Sequence, residues 1–63
     1  MIRLIDALQD EINRVSQLID LYDDFGIYTA MMVQSILAAE KALQQQDHVK
    51  MINSFIDLRE YDY

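Results

Sequence analysis

Reactive chemistry would need a small set of side chains, and the sequence is sparing with them. His48 is the only histidine, and there is no cysteine, so neither a two-histidine nor a thiolate zinc site can form within one copy. As a general base His48 would need an activated hydroxyl beside it. Ser16, Ser35 and Ser54 fall in no motif that marks a nucleophile. Asp20, Asp23 and Asp24 are the densest acidic group, and on a helix they share one face, as hard-cation ligands could. Their spacing matches no calcium loop, so they are expected to be solvated, to cap a helix, or to form an acidic patch that faces a partner. Asp20, Asp23, Asp24, Tyr61 and Tyr63 are therefore candidate partner-binding residues. No catalytic residue, cofactor or metal is expected, and the chain is not expected to be an enzyme.

The elements that position these residues must fit into 63 residues and 7.4 kDa, room for one small domain with a thin core. Hydrophobic residues make up 52% of the chain, which disfavours disorder. Eleven acids against five bases give a net charge of -6. Counterion release from phosphates is then no driving force, and direct nucleic-acid binding is not expected. Asp6 and Asp10 interrupt the apolar run that a signal peptide would need after Arg3. The uncharged stretch from Phe25 to Ala39 would span about 22 Å as a helix, short of a bilayer core of about 30 Å. A cytoplasmic protein that does not enter a membrane is expected.

The apolar spacing predicts a single all-α domain over residues 1–63, with helices at 2–24, 27–45 and 48–60. In the first helix Ile5, Leu8, Ile12, Val15, Ile19 and Tyr22 recur three and four apart, a heptad seam. Leu4, Leu18 and Phe25 widen it towards the face of a bundle helix that touches two neighbours. Arg3, Asp6, Asp10, Asn13, Arg14, Gln17 and Asp20 form the opposite face, where Asp10 and Arg14 pair at i and i+4. Gly26 reads as the left-handed cap that ends this helix, with Tyr22 and Tyr28 packing across the turn. The second stripe is Tyr28, Met32, Ile36, Ala39 and Leu43. Met31, Val33 and Leu37 extend it, so this helix is expected to be buried on more than one side, with Ala38, Ala39 and Ala42 allowing close approach of a neighbour. After Leu43 the phase breaks and a new register, Val49, Ile52, Phe55 or Ile56, and Arg59, opens behind Asp47, a good N-cap residue. A tight turn into a short third helix is favoured over one long second helix. The tail Tyr61 to Tyr63 is expected to fray.

A pair of helices cannot cover these apolar sides. Even with a third helix, Leu4, Leu18, Leu21, Phe25, Met31, Leu37, Met51 and Leu58 compete for a very small interior, at about 1.5–3 kcal/mol for each side chain left out. A homodimer follows: two helical hairpins joined as a twofold bundle, with Ile5, Leu8, Ile12, Val15, Ile19, Met32, Ile36 and Leu43 at the interface. The runner-up is a monomeric three-helix bundle with an exposed methionine and aromatic patch. Either form points to a noncatalytic adaptor acting through protein–protein contact. A second class is an acidic nucleic-acid mimic that occupies the basic groove of a DNA-binding protein.

The stretch Leu18-Ile19-Asp20-Leu21-Tyr22-Asp23-Asp24-Phe25-Gly26, leading into Tyr28-Thr29-Ala30-Met31-Met32-Val33, resembles the small acidic early-region proteins of lambdoid and Shiga toxin-converting phages, encoded between the exonuclease and excisionase genes. The resemblance carries no catalytic motif. It implies a regulatory role in phage development, shifting the balance between lysis and lysogeny or altering the host, with a host or phage protein as partner.

Overall fold

The computed structural model describes residues 2–22 and 26–62. They form three helices and no strand: α1 (Leu4–Leu21), α2 (Gly26–Gln45) and α3 (His48–Arg59). Each helix packs on the other two. Residues Arg3 to Ile5 lie beside His48 to Ile52, while Arg14 reaches Leu58 and Tyr61, so α1 and α3 run parallel and α2 runs against both.

The core is enclosed within one chain. Leu8, Ile12, Val15 and Leu18 from α1, Met32, Ala39 and Ala42 from α2, Met51 and Leu58 from α3, and Tyr61 beyond it are buried. Leu8, Val15, Met32, Ala39 and Leu58 are wholly so, at 0% exposure. Leu4, Ile19, Tyr22, Tyr28, Ile36, Leu43 and Phe55 close around them. The all-helical class with a separate third helix is therefore the observed architecture, and the continuous second helix is not formed.

The break between α2 and α3 is made by two residues. Gln46 adopts φ 53°, its N–H donates to Leu43 O, and the Asp47 N–H donates to Ala42 O, both at 3.2 Å. This six-to-one plus five-to-two pattern is a Schellman cap, which turns the chain out of a helix on one left-handed residue. Asp47 then serves the next helix: its carboxylate accepts from the Lys50 N–H at 3.2 Å, satisfying one of the orphan donors of the first turn of α3.

Three expectations are corrected here. Gly26 is no left-handed cap, because no glycine has positive φ and Gly26 is the first residue of α2. The cap residue of α1 is Tyr22, at φ -101° and ψ 30°, whose N–H donates to Leu18 O. In α3 the buried register is Met51 and Leu58 with Phe55 partly covered, not Val49, Ile52 and Ile56, which stay exposed. Both stripes are apolar at helical spacing; the chosen one continues three residues on to Tyr61 and so buries one more large ring. Finally, α2 is not covered on several sides within the chain: Met31 is 51% and Leu37 54% exposed.

Candidate functional site

One end of the bundle is tied by a cationic side chain and three phenol rings. Arg14 does not pair with Asp10. Its guanidinium meets the carboxylate of Glu11, one turn earlier on α1, at 3.1 Å, and donates onward to Leu58 O at 2.8 Å and Tyr61 O at 2.9 Å. Those carbonyls lie at and just beyond the C-terminal end of α3, where the macrodipole favours a cation; Leu58 O also accepts from the Tyr61 N–H at 3.2 Å. Arg14 thus links the two parallel helices, with the planar fork that a lysine lacks.

Beside it Tyr22, Tyr28 and Tyr61 form an edge-to-face ladder, with centroids 4.9 Å apart for Tyr22–Tyr28 and 5.6 Å for Tyr28–Tyr61. The Tyr61 hydroxyl pairs with Ser35 Oγ at 2.9 Å, and the Tyr22 hydroxyl donates to Asp62 O at 2.7 Å. Thr29 Oγ1 donates to Tyr22 O at 2.7 Å, joining the end of α1 to the first turns of α2. Tyr61, expected to fray, is buried at 7% exposure. The reason is plain from its partners: its ring completes the ladder, and its N–H, carbonyl and hydroxyl each make a hydrogen bond, to Leu58 O, Arg14 and Ser35.

The eight residues expected at a dimer interface divide. Leu8, Ile12, Val15 and Met32 lie in the single-chain core, Ile19, Ile36 and Leu43 pack half-buried against it, and Ile5 alone remains substantially exposed, at 41%. A second copy would have to meet a different surface. Of the expected partner-binding residues, Asp20 is exposed on α1 and Tyr61 is internal; Asp23, Asp24 and Tyr63 lie outside the described residues, as does Phe25.

The surface carries apolar side chains that the sequence did not single out as a binding set. Ile2 and Ile5 share a recess with Ile52 at the parallel ends of α1 and α3, and Val49 and Ile56 extend that stripe along α3 at 68% and 56% exposure. On α2, Ile27 is 82% exposed. With Ala30, Met31 and Asp57 it borders a second recess, whose floor is the Ser35–Tyr61 hydroxyl pair. A third lies further along the same α2/α3 groove, lined by Ala38, Ala42, Lys41, Lys50, Asn53 and Ser54. The signal for these surfaces was present as apolar residues at helical spacing, but the sequence did not say which of two apolar stripes a helix would turn inward.

His48 is exposed on the first turn of α3, and its neighbours around the first recess are Ile2, Arg3, Leu4, Ile5, Met51 and Ile52. Among the described residues no three His, Cys, Asp or Glu side chains are grouped to hold a metal ion, and no helix is long and apolar enough to cross a membrane. In comparisons with protein-family models, curated proteins and solved structures, nothing matches the chain.

Proposed function

We propose that the chain is a noncatalytic adaptor: a helical protein that self-associates and offers a second apolar surface to another protein. The observation that carries this reading is that, among the described residues, ten large apolar side chains are exposed on a bundle whose core is already closed. An isolated exposed leucine is ordinary. Recesses lined by several of them mark contact surfaces. Under the phage resemblance the partner is a host or phage protein and the outcome is a shift in phage development.

The test is affinity capture from bacterial lysate with the native chain and with an Ile5→Ser/Ile52→Ser variant, both verified as folded by circular dichroism. A protein retained by the native chain, lost with the variant and then shown to bind directly as a purified component supports the adaptor. Retention that is identical for both chains contradicts the assigned surface. Capture that disappears on modest addition of salt would favour phosphate mimicry instead, because contacts between exposed charges are screened within about 10 Å at ordinary ionic strength.

A further inference from the structure

We propose that the α2/α3 groove is the self-association surface, and that its occupant is the same groove of a second copy, related by an antiparallel twofold axis near Gln34 and Ser35. This rests on the reading of the chain as self-associating and assigns the face and the register.

The groove has projections at one end and a recess at the other. Ile27 and Met31 stand out at 82% and 51% exposure. Ala38, exposed, and Ala42, buried at 1% exposure on the core side, four and eight residues beyond Gln34, border a recess of about 300 Å³, ample for two aliphatic side chains when a cavity of about 150 Å³ holds a benzene ring. Residues 27, 31, 34, 38 and 42 follow helical spacing along one side of α2. A twofold axis between Gln34 and Ser35 sets Met31 of one copy opposite Ala38 of the other, and Ile27 opposite Ala42. Both pairs fall in place with a single axis, and the operation repeats them on the far side, as an isologous interface requires.

Charge points to the same arrangement. Asp57 borders the groove where Met31 projects, with Glu60 one helical turn on; neither enters an ion pair among the described residues. The nearby cations are engaged elsewhere: Arg14 by Glu11 and the α3 carbonyls, Arg59 over the Phe55 ring at 5.6 Å. At the opposite end Lys41 and Lys50 border the recess, and among the described residues Lys50 Nζ meets only the neutral Gln45 side chain, at 3.4 Å. A parallel arrangement would bring acid over acid and lysine over lysine. The antiparallel one sets the acidic end of each copy over the lysine end of the other, which selects this orientation over the parallel one. At the same recess the Ser35 and Tyr61 hydroxyls share a hydrogen bond. The two helices, of 20 and 12 residues and hence about 30 and 18 Å long and each about 10 Å wide, offer a face at the small end of the range of protein–protein interfaces.

Charge reversal and disulfide trapping test the assignment. Sedimentation equilibrium is measured on the native chain, on Asp57→Lys/Glu60→Lys, on Lys41→Glu/Lys50→Glu, and on the chain carrying all four changes. The expected result is dimerisation weakened at least tenfold in affinity by either pair alone and restored to within about threefold by the four together. Separately, Met31→Cys/Ala38→Cys should oxidise to a covalent dimer. Seven residues along a helix separate these cysteines by about 10 Å within one copy, too far for an internal disulfide. The control pair Asn13→Cys/Asp20→Cys, exposed on α1, should not cross-link. A native dimer indifferent to charge reversal, or one trapped equally by both cysteine pairs, overturns the face while leaving self-association standing. A native chain that is monomeric throughout overturns self-association itself.

Discussion

Gln46 holds a left-handed backbone with a side chain that disfavours it, at a cost of about 1–2 kcal/mol for a residue with a Cβ. Gln46→Gly removes that strain, offset in part by the greater freedom glycine gains in the unfolded chain. A net gain of about 0.5–1 kcal/mol is expected in urea denaturation, whereas Gln46→Val should destabilise. Gly26 behaves oppositely. A Cβ built there meets nothing within 4 Å and its φ is not positive, so Gly26→Ala should stabilise by about 0.5 kcal/mol; a loss of stability would show that the glycine is conformationally required. The two positions mark the limits of legibility at this scale. Asp47 could be read as an N-cap because its side-chain chemistry is specific to that role. Gln46 could not be read as the αL residue, since glutamine carries no turn signal. Gly26 was misassigned because a glycine between two helices suits the end of one or the start of the next.

Between elements, the contact that decides how α3 sits is Arg14. Its bonds to Leu58 O and Tyr61 O are made at a side chain 35% exposed, so removal should cost about 1–3 kcal/mol, the range for hydrogen bonds to charged groups. Arg14→Lys should recover less than half of that, because an ammonium cannot span Glu11 and both carbonyls in one plane. Deleting Glu60 to Tyr63 should destabilise by about 2–3 kcal/mol through loss of the buried Tyr61, lowering Tm by 10 °C or more in a domain of this size. In the shortened chain Arg14→Ala should then cost less than it does in the full one, since Tyr61 O is gone; this non-additivity is read from a double-mutant cycle. An unchanged melting curve after the deletion would contradict the docked tail. The sequence showed α1 well, because its apolar stripe is singular. It placed Arg14 on the solvent face because a long side chain can leave a polar face and reach across to another helix, which periodicity does not record. It misjudged α3 because Met51, Phe55 and Leu58 and the stripe Val49, Ile52 and Ile56 compete at equal spacing, and only Tyr61 and Arg14, brought near by the fold, separate them.

For the whole molecule, the apolar residues counted as too many for one interior divide between core and surface. Leu18, Met51 and Leu58 were accommodated inside, while Leu21, Met31 and Leu37 remain exposed. Three helices rather than a hairpin share the core, so one copy shelters more than a two-helix reading allows, and the proposed interface moves from the α1 seam to the α2/α3 groove. What the sequence could not show was this partition, which depends on how helices that are each apolar on more than one side rotate against one another. The central claim, that the remaining surface brings two copies together, is tested most directly by sedimentation equilibrium of the unmodified chain from low to high micromolar concentration. The account predicts a mass that rises from 7.4 kDa to twice that value and stops there. A folded particle that keeps the mass of one chain over the whole range would contradict it.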